Sequence, residues 1–214
     1  MSENMLGVAL SDVRGLLDDL FGRLSAEGWE IWLEQFKRFL RKEPCWTRSN
    51  RFLRQIAMGV GVIGPTAGEL IFADEAELFS GGIDGDFTRW LKGVKSAPTE
   101  EAPFEVYEQV ENGNFKEILE GFGVEIGRLF WTEAQAVKFA KDHGNLLHPK
   151  GWATFIPFFK KFDEGMKSER TEFFVAYVNR NDAGQLEAYV NHLSYDDVWG
   201  AENRNRFVIP QLEH

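Results

Sequence analysis

Cysteine is almost missing from this chain: Cys45 stands alone in 214 residues, so no intramolecular disulfide can form. Histidine is scarce too, with four residues, and no window reaches the roughly 18 apolar residues of a membrane-spanning helix. The opening stretch has neither a basic leader nor an uninterrupted apolar run, which leads to the expectation of a cytoplasmic protein without a membrane association. The closing Leu212-Glu213-His214 reads as the start of a purification-tag remnant, with Leu212 assignable to either tag or native chain, so His214 is left out of every site argument.

What the chain has in abundance is aromatic surface. Nineteen Phe, seven Trp and four Tyr imply a well-filled core, and the length suffices to build one without covalent staples.

Charge is unevenly placed within a net of -10. Residues 37–54 hold seven cations (Lys37, Arg38, Arg41, Lys42, Arg48, Arg51, Arg54) against Glu43, whereas residues 100–125 hold eight glutamates against Lys116.

Periodicity predicts the fold class as α+β. Leu10, Val13, Leu17, Leu20 and Leu24 form one helical stripe and Trp29, Trp32, Leu33, Phe36 and Leu40 another, so a helical hairpin is expected over residues 11–24 and 28–42. Short strands are expected at 56–63 and 69–73, with a helical turn at 75–79, and the polar stretch 92–103 reads as a linker or long surface loop. Asn114 with Glu117, and Thr132 with Gln135, are capping pairs ahead of two more helices. After Trp152 the period becomes that of strands, with a turn at Asn181-Asp182-Ala183-Gly184, which predicts a C-terminal antiparallel sheet packed against helices. Two subdomains, residues 1–95 and 104–211, or one compact domain, fit this organisation.

Several constellations carry possible chemistry. Gly59-Val60-Gly61-Val62-Ile63-Gly64 matches GxGxxG, but Pro65-Thr66-Ala67-Gly68 follows where the dinucleotide fold needs a helix, so a glycine-rich turn or bulge is expected. His143 and His148 are separated by Gly144, and His143 reads as a helix-terminal cation. Cys45 reads as a packing residue. No metal ligand set and no cofactor motif is recognised. The cluster His192, Asp196, Asp197 and Glu202 has the residue types of a hydrolase acid-base site, or of an acidic turn. Lys37, Arg38, Arg41, Lys42, Trp46, Arg48, Arg51 and Arg54 interleave cations with aromatics, as surfaces that contact phosphates and stack bases do, or else pair internally with the glutamates of 100–125.

Short runs spread over most of the chain carry a resemblance: Phe39-Leu40-Arg41-Lys42-Glu43, Ile83-Asp84-Gly85-Asp86-Phe87 with Trp90, Thr99-Glu100-Glu101, Val106-Tyr107-Glu108, Thr132-Glu133-Ala134-Gln135-Ala136, Gly151-Trp152-Ala153-Thr154-Phe155, Phe173-Phe174-Val175-Ala176, Asp197-Val198-Trp199 with Ala201-Glu202, and Val208-Ile209-Pro210-Gln211. The pattern resembles a group of uncharacterised small proteins predicted from uncultured bacteria, and residues 54–69 depart from it. The resemblance implies no activity, cofactor or catalytic residue. The expectation is therefore a non-enzymatic interaction or adaptor module whose partner is unknown, with a protein one candidate, ahead of a nucleic-acid binder working through residues 37–54 and a hydrolase using residues 192–202.

Overall fold

A computed structural model describes residues 50–163 and 169–212, together with Gly22, Leu33, Phe36, Lys37, Leu40 and Arg41. The chain divides into two compact units, Met1–Thr47 with His214, and Arg48–Glu213. The second unit is built on one eight-stranded sheet, ordered β1-β3-β8-β5-β6-β7-β2, with β4 attached to β5. Its strands are β1 (Leu53–Ile63), β2 (Gly82–Ile83), β3 (Ala102–Gln109), β4 (Trp131–Thr132), β5 (Thr154–Asp163), β6 (Glu169–Arg180), β7 (Leu186–His192) and β8 (Arg206–Pro210). Among the described residues three helices accompany them: α1 (Asp86–Leu91), α2 (Phe115–Glu120) and α3 (Glu133–Asp142).

This corrects the expected architecture. The sheet is mixed rather than antiparallel, because β2–β7, β4–β5 and β5–β8 pair in parallel, and it draws β1 and β3 from the first half of the chain. No N-terminal helical hairpin belongs to the described fold; the segments expected to form it, residues 11–24 and 28–42, fall almost wholly outside the described residues. Residues 69–73 form no strand. Phe72–Asp74 is a 3-10 turn, because the Phe72 amide donates to Glu133 Oε1 (2.9 Å) and is held under α3, away from any strand partner. Residues 92–101 run as a loop in which Thr66 and Thr99 exchange backbone hydrogen bonds of 2.9 Å, whereas Ala102 and Pro103, expected to belong to that loop, already pair with β1 as the start of β3.

Local signals for the later elements are met in detail. Asn114 accepts from the Glu117 amide (2.9 Å) while Glu117 accepts from the Asn114 amide (3.0 Å), so α2 begins with a capping box. Thr132 and Gln135 do the same for α3. The β6–β7 hairpin turns at Asn181, whose Oδ1 accepts from the Ala183 and Gln185 amides, and Gly184 takes the left-handed conformation (φ 76°).

Alternation in the strands sends side chains to two faces. In β5, Ile156 and Phe158 join Phe72, Phe87, Phe139 and Phe174 beneath α1 and α3, whereas Phe155 joins Phe115, Leu119, Val175 and Phe207 beneath α2. In β8, Val208 faces the first cluster, and Phe207 and Ile209 the second, so this strand is apolar on both sides. Its placement follows: β8 lies inside the sheet between β3 and β5.

Candidate binding surfaces

The cations singled out in the sequence do not converge on a described surface. Lys37 and Arg41 are exposed helix and turn residues of the first unit, and Arg38, Lys42, Trp46 and Arg48 lie outside the described residues, as does Cys45. Arg51 and Arg54, both exposed, pair with the glutamate-rich segment. Arg51 lies over the Phe52 ring at 4.5 Å with its Nε 3.8 Å from Glu111, and Arg54 Nη2 donates to Glu108 Oε1 at 2.8 Å. Arg204 approaches the same Glu108 oxygen at 3.7 Å, which makes a small exposed network. Such pairs contribute about 0–1 kcal/mol each.

The 192–202 cluster is spread out. His192 ends β7 with its ring 4.5 Å from Trp90 and 4.8 Å from Phe174; Asp196 is exposed; Asp197 accepts from the Tyr195 hydroxyl at 2.6 Å; Glu202 is exposed in the 3-10 turn Ala201–Asn203. Among the described residues no group of three or more His, Cys, Asp or Glu is arranged to hold a metal ion, and no helix is long and apolar enough to cross a membrane. His192 does border an open cleft of about 290 Å³, together with Lys116, Thr171, Glu172 and Ser194. Its charges have partners already: Lys116 faces Glu120 at 3.9 Å and Glu172 pairs with Arg170 at 2.8 Å.

His143 caps α3 and packs against Phe104 and Phe139. His148 is buried, and burial together with the Arg206 guanidinium pushes its pKa below the ordinary value of 6.5. Its Nδ1 accepts from the Lys150 amide (3.2 Å), so a proton added there removes an acceptor and places a cation beside Arg206, which donates to the Leu146 and Leu147 carbonyls. A folded pKa below the unfolded one means the unfolded chain binds the extra proton first. Stability is therefore complete above about pH 6.5 and falls as pH drops below it. A His148→Gln variant flattens that part of the stability-pH curve in urea melts; an unchanged slope in the variant removes His148 as its cause.

The glycine motif is strand, not phosphate loop. Gly59–Gly64 runs through and just past β1, with a register shift between Gln55 and Val60 where the edge bulges. Gly61 is required by packing: a Cβ there would sit 2.7 Å from Phe104 Cζ, so the Phe104 ring occupies the space a side chain would take.

That stretch of β1 is the most distinctive surface on the sheet. At one end of the sheet β2 contributes only two residues; at the other, β1 runs for 11. The register fixes where its main-chain groups point. Pro103, opposite Val62, has no N–H and its carbonyl accepts from the Gln211 amide on the β8 side (2.9 Å), so Val62 and, two residues earlier, Val60 direct their N–H and C=O groups away from β3. His143 Nε2 lies 3.1 Å from the Val62 carbonyl, as that direction requires. Both side chains are exposed, Val60 by 55% and Val62 by 48%. The alternation Val60-Gly61-Val62 carries this signal in the sequence, within the strand expected at 56–63. No family model matches the chain, and none of the curated proteins or solved structures matches it either.

Proposed function

We propose that this chain is a non-enzymatic interaction module that adds an extended segment of a partner protein to its sheet along β1. The observation that supports this reading is the edge itself: outward main-chain groups at Val60 and Val62 combined with two exposed valine side chains. Sheet edges are ordinarily blunted by charge, proline or brevity, and β2 is an edge of that short kind. An extended partner gains main-chain hydrogen bonds from such an edge and specificity from pockets for alternate side chains. The fitting partner carries apolar residues at every second position to cover Val60 and Val62, and displaces the His143 ring from the Val62 carbonyl.

Hydrogen exchange tests the reading without knowledge of the partner. The Val60 and Val62 amides exchange rapidly in the free protein, while those of Gly61 and Ile63, which face β3, are protected. Adding extended peptides of alternating Val and Thr slows exchange at Val60 and Val62. Val60→Pro removes an outward N–H and weakens peptide binding roughly tenfold, with little change in melting temperature. Protection of Val60 and Val62 in the free monomer, or peptide binding that survives Val60→Pro, rejects the assignment.

A further inference from the structure

Beyond the β1 edge, the opposite end of the sheet carries a second kind of surface. In β7 burial alternates strictly: Leu186, Ala188 and Val190 are buried, and Glu187, Tyr189 and Asn191 are half-buried on the other face. Tyr189 stands directly opposite Tyr177 of β6, and the rings stack with centroids 4.7 Å apart and planes within 11°. Trp199 meets Tyr177 edge-on at 5.9 Å. Beyond β7 the described sheet continues with Gly82 and Ile83, followed by Asp84, whose amide donates to the Ala188 carbonyl.

Among the described residues, the charged side chains bonded to the tyrosine hydroxyls of this face are carboxylates. Glu187 accepts from the Tyr189 hydroxyl (3.2 Å) and from Asn179 and Asn181, and Asp197 accepts from Tyr195, which is itself exposed. Burial first, and then Tyr189, Asp84, Tyr195 and Glu187, push the Tyr177 hydroxyl up to about 12; Tyr189 is raised by burial, Glu187 and Asp84. Among the described residues, the carboxylates that act on the two hydroxyls are Asp84 and Glu187, and both disfavour negative charge there. The Asn179 Oδ1 on the same face is buried without a hydrogen-bond partner.

We propose that this face, with Tyr177, Tyr189 and Glu187 at its centre and Asp84, Tyr195 and Asp197 at its rim, binds arginine side chains of a partner protein segment. Charge complementarity selects a cationic occupant, and the aromatic rings select among cations. A guanidinium is planar and weakly hydrated, so it can lie on a tyrosine face while its fork of N–H donors meets carboxylates, whereas a lysine ammonium is a compact, strongly hydrated charge. This reading is independent of the β1 edge, which is formed by other strands.

A fluorescein-labelled hexa-arginine peptide, titrated against the full chain by anisotropy with hexalysine as comparator, tests it. The expected result is saturable binding in which hexa-arginine exceeds hexalysine several-fold. Tyr189→Leu keeps an apolar side chain in the strand but removes the π face, and weakens hexa-arginine roughly tenfold, while Tyr189→Phe retains it. Tyr195→Leu, at an exposed position outside the strands, gives a smaller loss and keeps the test alive if Tyr189→Leu fails to fold. Equal affinity for both peptides, with the tyrosine variants unchanged, means bare attraction to a chain of net charge -10 and overturns the proposal. Absence of hexa-arginine binding at low salt overturns it as well.

Discussion

Replacing Lys160 by Met lowers the unfolding free energy by about 3–5 kcal/mol, the range for removing one partner of a buried ion pair. Lys160 and Glu133 have side chains only 1% and 2% exposed, and Nζ lies 2.6 Å from Glu133 Oε2. The lysine also donates to the Val94 carbonyl, and the other carboxylate oxygen accepts from the Phe72 amide. One pair thereby ties β5, α3, the Phe72 turn and the loop before β3 together. Glu133 Oε2 has no hydrogen bond of good geometry besides this contact, so without Lys160 a carboxylate remains buried with only one amide to solvate it.

The sign of the pH dependence follows. Burial already pushes the Glu133 pKa up, against the opposing pull of Lys160 and the Phe72 amide. Removing Lys160 takes away the largest opposing pull, so Glu133 takes up its proton at a higher pH in the folded variant than in the intact protein. A raised folded pKa means the unfolded chain releases its proton first, so stability is lost as pH rises above the ordinary carboxylate range. The deficit of Lys160→Met is therefore smaller at pH 5 than at pH 7.5. Lys160→Met combined with Glu133→Leu recovers most of the loss, because no charge is left unpaired. Urea melts at both pH values check this; a double variant as unstable as the single one assigns the cost to packing.

The contrast between this pair and the elements around it shows what the sequence could reveal. Asn114-x-x-Glu117 and Thr132-x-x-Gln135 are local signals, satisfied within four residues, and both helices begin where those pairs predict. The hairpin at Asn181–Gly184 is local in the same sense. Strand order is not. β8 reads as a strand from its own residues, but its place between β3 and β5 depends on partners about 50 and 100 positions away, and alternation is blind to which neighbour it chooses. β5 accepts two parallel neighbours at different places: β8 pairs with its start at Thr154 and Phe155, and β4 with its middle at Phe158 and Phe159. Lys160 was equally hidden, as one of two adjacent lysines in an apolar run whose counter-ion lies 27 positions earlier in another element. Candidate sites fared similarly. The acids of residues 192–202 are neighbours in sequence because the segment is a loop, whereas Tyr177, Tyr189 and Asp84 meet through strand pairing and loop return, which spacing does not encode.

Phe155→Ala is expected to cost about 3–5 kcal/mol, the range for truncating a buried Phe. Its ring is wholly buried and lies within 4.7–6.0 Å of Phe115, Tyr177, Trp199 and Phe207, so one side chain joins α2, β6, β8 and the loop before the 3-10 turn at Ala201. α2 has only six residues and cannot hold itself together; its position depends on Phe115, Ile118 and Leu119 finding this cluster. Phe158 provides the control. It lies three residues along the same strand, is equally buried, and packs instead on Phe72 and Phe174 beneath α1 and α3. Both truncations destabilise, but they loosen opposite faces. Native-state hydrogen exchange in Phe155→Ala accelerates first at Ile118 and Leu119, and in Phe158→Ala first at Val137 and Ala140. The Phe155 cavity also frees the Trp199 ring that sits against it, which perturbs the edge of the Tyr177 stack. Hexa-arginine binding is accordingly weakened by Phe155→Ala and preserved in Phe158→Ala at temperatures where both remain folded. Identical exchange patterns in the two variants mean that the faces open as one unit, and the separation of the aromatic core into two independent layers fails.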